Sequence, residues 1–168
     1  SLFIVLYIAF AFRKVSKPVE SWKYGVAAII ALLHDVIITV GLFSILGHFM
    51  GIEVDSLFIT ALLTIMGFSV HDTIVIFDRT RENLGRFYSG KFDEVVNDSV
   101  NQTISRSINT SLTTMVVLAC LFLFGGTSIK YFSLALLFGI LIGTYSSIFV
   151  ASALIVDWNV LGKNFKKK

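Results

Sequence analysis

The sequence predicts an all-α fold, a bundle of helices that crosses a membrane several times and forms a single transmembrane domain over residues 1–168. Hydrophobic residues make up 55% of the chain and charged residues only 15%, with a mean hydropathy of +0.82. A water-soluble domain of this composition would expose apolar surface wherever it folded. The apolar residues also fall into separate runs, several of them as long as the roughly 20 residues that a spanning helix needs. These observations indicate a multi-pass membrane protein.

Five apolar runs divide the chain. They cover residues 1–12, 24–49, 56–77, 104–124 and 131–156. The last four are long enough to span a bilayer, whereas the first is too short for a complete spanning helix. We therefore interpret the first run as part of a helix, and the chain as a fragment with a further span missing upstream. A signal peptide is the alternative for this run, but no basic region precedes it and no small-residue cleavage site follows it.

The basic residues predict the orientation. Thirteen of the fourteen Lys and Arg residues fall on alternate connections and on the C-terminal tail, which the positive-inside rule assigns to the cytoplasm. The connections 48–55 and 125–130 are then external hairpins. Aromatic residues at the predicted boundaries support this assignment, because amphipathic rings favour the membrane interface; they are Trp22, Tyr24, Tyr131 and Trp158.

The long connection 79–101 is predicted to be an amphipathic cytoplasmic segment. Its first part should continue the preceding helix to about Gly90, with apolar residues on one side and charged residues on the other. Gly90 should break that helix, and a second short helix should follow from Lys91 to Asn101. The basic residues are dispersed along membrane-flanking loops, which argues against nucleic-acid binding; the tail 163–168 is expected to contact anionic membrane lipids instead.

Asp72 is the first candidate functional residue, because it lies inside the third apolar run. An ionised Asp at the centre of a bilayer costs about 2.5–3.5 kcal/mol on insertion scales, so such residues usually mark an ion path or a partnered charge. Arg106 is its candidate partner at a similar depth in the fourth run. Either the two form a permanent ion pair that fixes packing, or they form a functional switch. His71 beside Asp72 is either a hydrogen-bonded residue or a third titratable group.

The fully apolar part of the fourth run is too short to cross a bilayer alone, so the polar residues upstream of it must also enter the membrane. Gln102, Arg106, Asn109 and Thr113 follow a helical spacing and should share one face. Such a face is predicted to point into the bundle rather than toward lipid. Asp35 in the second run, next to His34, is interpreted either as an interhelical hydrogen-bonding group or as part of the same proton relay.

Small residues recur every four positions in the last run, which predicts a ridge against which another helix packs closely. They are Ala135, Gly139, Gly143, Ser147 and Ala151. Cys120 stands alone within an apolar run, so the chain has no cysteine pair for a disulfide and no cysteine cluster for a metal. No catalytic motif, metal-ligand spacing or phosphate-binding loop is present, and we predict neither an enzyme nor a cofactor.

Several segments together resemble the SecF family, the membrane subunits of the bacterial SecD/SecF protein-export machinery. The matching segments, in an order and spacing typical of the family, are LHDVIITVG (33–41), HDTIVIFDRTREN (71–83), NQTISRSINTS (101–111), LFGG (123–126) and GTYSSIFVASAL (143–154). His71 stands where the family usually has Asn. The resemblance implies half of a transmembrane domain of the resistance-nodulation-division type, in which a span and an outer domain would precede this chain.

The resemblance also implies a function. It predicts a subunit of the inner membrane that uses the proton motive force to promote preprotein export, with Asp72 and Arg106 as the proton-relay residues and a further Asp supplied by SecD. The implied partners are SecD, the SecYEG channel and the SecA ATPase, with YajC and YidC as further candidates. His71, Asp35, Asn109 and Thr113 are further candidates for the relay. A proton-coupled small-molecule exporter subunit and a purely structural scaffold are the alternative functions.

Overall fold

The structure, a computed structural model, describes residues 21–86 and 91–165, with side chains from 22 to 85 and from 91 to 160. Its helices are α1 (Ser21–Met50), α2 (Ser56–Arg86) and α3 (Phe92–Phe124), followed by a last rod made of α4 (Thr127–Tyr145), a π-helical segment (Ser146–Ala151) and α5 (Ser152–Phe165). The predicted run at 1–12, the predicted break at Gly90 and the tail from 166 lie outside the described residues.

Four helical rods are long and apolar enough to cross a membrane: Trp22–Met50, Ser56–Gly85, Phe92–Phe124 and Thr127–Val160. Large apolar side chains such as Ile37, Leu63 and Phe124 are exposed on their outer surfaces, where lipid would cover them. The prediction of an all-α, multi-pass membrane bundle is confirmed. The observed helices are longer than the predicted runs, because the polar residues that flank the apolar runs are also helical.

The short connections between helices follow local rules of turn and capping chemistry. Gly51 adopts a left-handed backbone conformation (φ +64°) directly after α1, a conformation that glycine enters without steric cost. The Asp55 side chain then accepts hydrogen bonds from the backbone N–H groups of Leu57 (3.0 Å) and Phe58 (3.3 Å) at the start of α2. Only Gly125 and Gly126 separate α3 from α4. These connections lie where hairpins were predicted.

The ridge of small residues on the last rod packs against α2, and all five of its members are buried. A Cβ atom added at Gly139 would lie 2.1 Å from Cδ1 of Ile65, and one added at Gly143 would lie 3.1 Å from Cβ of Ser69. One turn further, the hydroxyls of Ser147 and Thr73 are hydrogen bonded (2.9 Å). Residues spaced by four on one helix thus meet residues spaced by four on the other, which is how small residues let membrane helices approach closely.

The structure corrects the prediction for the segment that follows Lys91. Instead of a separate short helix up to Asn101, α3 continues unbroken from Phe92 to Phe124. No Gly or Pro occurs within it, so nothing in the sequence interrupts the backbone ladder. Its first turns are also held against α2, because Phe92, Val95 and Val96 are buried.

The aromatic residues at the predicted boundaries divide into two groups. Tyr24 is only 1% exposed and makes an edge-to-face contact with Phe77 at 5.2 Å between ring centroids, so its ring packs against α2. Trp22 and Trp158 make a similar edge contact with each other at 5.4 Å. Hydropathy located these residues near helix ends but did not show which of them face a neighbouring helix.

Packing at the ridge leads to a first prediction. Gly139→Ala should destabilise the protein by about 1–3 kcal/mol, the usual cost of overpacking, because Ile65 is buried and β-branched and has few alternative rotamers. Thermal unfolding of the purified full-length protein in detergent measures this effect. Gly67→Ala is the matched control, since nothing lies within 4 Å of a Cβ added there. Equal stability of the two variants would contradict the close approach of the helices.

Candidate functional site

A polar layer crosses the middle of the bundle, and Asp35 on α1 is its most completely bonded member. Its side chain is fully buried, and Oδ2 accepts hydrogen bonds from Oγ of Ser69 on α2 (2.6 Å) and Oγ of Ser146 in the π-helical segment (2.8 Å). Oδ1 lies 3.1 Å from Nδ1 of His34, whose side chain is about one-third exposed. One carboxyl group thereby joins three helical elements.

This arrangement depends on close backbone packing. A Cβ added at Gly143 would lie only 3.1 Å from Cβ of Ser69, so the absence of a side chain there lets the last rod approach the residue that donates to Asp35. The Thr39 hydroxyl donates back to the Asp35 carbonyl oxygen (2.8 Å) and not to its carboxyl group. Ser146 occupies the first position of the π-helical segment. A single π turn inside a longer helix is often found at functional sites.

Asp72 on α2 is the second buried acid, and its environment differs. It is only 3% exposed, yet its Oδ2 has no hydrogen-bond partner among the described residues. The hydroxyls of Ser107 on α3 and Thr144 on α4 lie beside this carboxyl group. Ser107 Oγ is also buried without a partner, whereas Thr144 Oγ1 lies 2.6 Å from Oγ of Ser111 and donates to the Ile140 carbonyl (2.9 Å). A hydroxyl-lined site with unused bonding capacity therefore surrounds Asp72.

The hydroxyls of Thr73 and Ser147 lie between the two acids along the contact of α2 with the last rod. They are 2.9 Å apart, and Ser147 also donates to the backbone carbonyl of Ser69 (3.2 Å). Ser69 is the residue that donates to Asp35. The hydrogen bonds around Asp35 thus extend to Thr73, the residue after Asp72, and no direct bond joins the two acids among the described residues.

The structure places Arg106 away from Asp72. Its side chain is exposed and borders a groove of about 450 Å³ between α2 and α3, beside Asp78, Arg79 and Glu82. Within the described part of the chain it forms no ion pair with Asp72. Its neighbour Ser107 is the residue that faces inward, and consecutive helical residues point about 100° apart.

The prediction that the polar stripe of α3 faces the interior of this bundle is therefore wrong for the chain as described. Every member of that stripe is exposed: Gln102, Arg106, Asn109 and Thr113. The buried face of α3 carries smaller hydroxyl residues instead, at Ser99, Thr103, Ser107 and Ser111. His71 is exposed beside Asp72, and Cys120 is exposed on α3. Thus α3 has two polar faces: the hydroxyl face is buried, whereas the stripe is exposed and contacts α2 through Gln102, whose Oε1 accepts hydrogen bonds from Arg79 (2.6 Å) and Asn83 (3.2 Å).

The buried hydroxyl residues of α3 were not among the predicted site residues, although their spacing contains a signal. Ser99, Thr103, Ser107 and Ser111 recur every four residues, as the members of the last rod's ridge do. The larger polar side chains of the same helix, which formed the predicted stripe, lie on the neighbouring face. No group of three or more metal-ligating side chains occurs among residues 21–86 and 91–165.

Comparison with known proteins places this architecture in a family. Residues 1–161 match the family described as "Protein export membrane protein SecD/SecF, C-terminal". The chain is 61% identical over 158 residues to the protein translocase subunit SecF of Thermobaculum terrenum, covering 94% of this chain and 49% of that protein. It is 46% identical over 155 residues to the translocase subunit SecDF of Thermus thermophilus, covering 92% of this chain and 20% of that protein.

A solved structure agrees in three dimensions. The crystal structure of SecDF in a super-membrane-facing form superposes with a TM-score of 0.86 at 44% identity, covering 98% of this chain and 21% of that one. The chain thus spans about half the length of its SecF relative and a fifth of the SecDF chains. These relatives are named as components of protein translocation, a transport process. The chain belongs to the SecD/SecF C-terminal family of protein export membrane proteins.

Proposed function

We propose that this chain is the membrane-embedded part of a SecF-type subunit that couples proton movement across the bacterial inner membrane to preprotein export. The observation that carries the proposal is Asp72, an acid near the middle of a spanning helix, buried, with an oxygen that bonds to nothing in the described chain. A carboxyl group in such a position is costly and usually functional. It gains a hydrogen-bond donor when it binds a proton.

The hydroxyls around Asp72 are suited to respond to such a proton. Ser107 and Thr144 belong to different helices, and each hydroxyl both donates and accepts hydrogen bonds. An ionised Asp72 can accept a bond from Ser107, and from Thr144 when that hydroxyl turns away from the Ile140 carbonyl, whereas a protonated Asp72 can also donate one. The change in protonation therefore alters the contacts that hold α2 against α3 and α4. One elementary charge moved fully across a potential of 100 mV contributes about 2.3 kcal/mol, which is enough to bias a two-state bundle.

Arg106 enters this mechanism through a partner. Its exposed side chain lies on a spanning helix whose outer face also carries Gln102 and Asn109, and polar faces of spanning helices are normally covered by protein or water. We assign this face to SecD, in keeping with the SecDF relative in which both names are joined. A SecD carboxylate then pairs with Arg106. Because Arg106 is adjacent to Ser107, repacking of α3 at Asp72 also moves Arg106 and its ion pair.

The further partners in this proposal are the SecYEG channel and the SecA ATPase, with YajC and YidC as accessory components and the preprotein as substrate. Asp35 has a structural role in it, because its carboxyl group is already bonded to Ser69, Ser146 and His34. Asn109 and Thr113 lie on the partner-facing stripe. A small-molecule exporter and a structural scaffold are the outcomes that the following tests separate from this function.

Export driven by a proton gradient tests the role of Asp72. In the full-length subunit assembled with SecD, Asp72→Asn should leave the complex intact, since Asn is nearly isosteric, and should abolish the stimulation of preprotein export by an imposed proton gradient. Asp98→Asn on the exposed surface of α3 is the matched control and should export normally. Export by Asp72→Asn at the wild-type level would contradict the relay and favour a scaffold. Loss of proton-coupled drug efflux without loss of export would favour a small-molecule exporter.

Two substitutions of Asp35 distinguish a structural role of its carboxyl group from a role in proton transfer. Asp35→Asn retains an oxygen that can accept from Ser69 and Ser146, so stability and export should both persist. Asp35→Ala leaves the buried Ser69 hydroxyl without its acceptor, while Ser146 keeps the Gly143 carbonyl (3.2 Å), and should lower the free energy of unfolding by about 1–3 kcal/mol. Thermal unfolding and the export assay, run on the same preparations, measure both effects. A stable Asp35→Asn variant that fails to export would instead place Asp35 in the relay.

A further inference from the structure

A second groove, of about 470 Å³, opens between the first half of α3 and the far part of the last rod. Here α3, which packs closely along α4, diverges from α5. The groove extends along α3 from Asp93 to Ile104, or about 17 Å at 1.5 Å per residue. Residues 148–157 of the last rod form its other wall. Its length and its position on a membrane-spanning bundle suit a lipid chain.

The two ends of the groove differ in chemistry. The deeper end, toward the middle of α3, is lined by Ile104, Ile148 and Phe149, and Phe149 is 57% exposed. The outer end carries two carboxylates, Asp93 and Asp157, with the amides of Asn97 and Asn101 beside them. Neither carboxylate forms an ion pair with a residue that the structure describes. An apolar slot with a polar mouth matches one acyl chain with its headgroup.

The groove lies on the edge of α3 opposite to the stripe that contains Arg106. Ile104 and Arg106 are two residues apart, which on a helix is a rotation of about 200°. If SecD covers the Arg106 stripe, as the proposed function holds, the groove edge faces away from that partner. This step alone rests on the proposed function; the shape and charge of the groove do not.

The charge at the mouth of the groove selects among headgroups. The neighbouring segments carry charges of both signs, Arg79, Arg81 and Lys91 with Asp78, Glu82, Glu94 and Asp98, so the surrounding surface does not itself select a headgroup charge. At the groove itself, two unpaired carboxylates repel a headgroup whose only charge is its phosphate. A headgroup with a primary ammonium places a positive charge between Asp93 and Asp157, while its phosphate accepts hydrogen bonds from the Asn amides.

We propose that this groove is a binding site for one phospholipid with a primary-ammonium headgroup, such as phosphatidylethanolamine. Its acyl chain lies against Ile104, Ile148 and Phe149. Its ammonium group pairs with Asp93 and Asp157 at the mouth.

Lipid retention by the full-length subunit in complex with SecD tests the site. The complex is equilibrated with equal amounts of phosphatidylethanolamine and phosphatidylglycerol, purified in mild detergent, and examined by native mass spectrometry. Wild type should retain phosphatidylethanolamine preferentially. The double variant Asp93→Asn, Asp157→Asn should reduce this preference by roughly 2- to 30-fold, the range expected for the loss of two exposed ion pairs.

Two further variants make the test specific. Glu94→Gln with Asp98→Asn removes the same total charge, here from α3 alone, with Glu94 in the same first turn as Asp93, but neither residue lines the groove; this control should keep the preference. Ala153→Phe fills the apolar slot and should reduce retention of both lipids. Absence of a preference in wild type, an equal loss in the control, or unchanged retention by Ala153→Phe would overturn the proposal. The readout does not depend on export, so it fails or succeeds separately from the proposed function.

Discussion

The hydrogen bonds that Ser69 and Ser146 donate to the Asp35 carboxyl group fix the arrangement on which the rest of the bundle depends. In a membrane interior no water competes for these bonds, and an unpaired polar group there is costly. At the same level Gly143 lets the last rod approach α2 closely, since an added Cβ would lie 3.1 Å from Cβ of Ser69. Close packing of small residues and bonding of a buried acid therefore occur together at this level of the bundle.

The contrast between the two acids gives the bundle its functional asymmetry. Asp35 uses both carboxyl oxygens within the chain, whereas Asp72 Oδ2 and the nearby Ser107 Oγ use none of their bonding capacity with described residues. A satisfied acid stabilises one arrangement, while an unsatisfied acid between helices can favour different arrangements in its two protonation states. The role proposed for Arg106 rests on the same geometry, because its side chain is exposed on α3 in the described part of the chain.

Much of the fold could be predicted from the sequence, since hydropathy and length determine spanning helices almost independently of their partners. The ridge from Ala135 to Ala151 could also be predicted, because a four-residue period of small side chains in a membrane helix usually marks close helix packing. The face of α3 that is buried in the bundle could not be predicted. A polar stripe must avoid lipid, but the sequence does not show whether it packs within its own bundle or against a second subunit. In this chain the small hydroxyl residues Ser107 and Ser111 are buried instead. The π-helical segment was not predicted either, because its sequence has no local signal that distinguishes it from the α-helices on both sides.

The central claim is that Asp72 binds and releases a proton within the assembled complex, and infrared difference spectroscopy tests it most directly. Spectra of the full-length subunit with SecD, reconstituted in lipid and recorded as the pH is stepped, report the carbonyl stretch of a protonated carboxyl group. The account predicts a band that grows as the pH falls and is absent from Asp72→Asn but present in Asp98→Asn. A spectrum that Asp72→Asn leaves unchanged would show that the proton is carried elsewhere and would contradict the account.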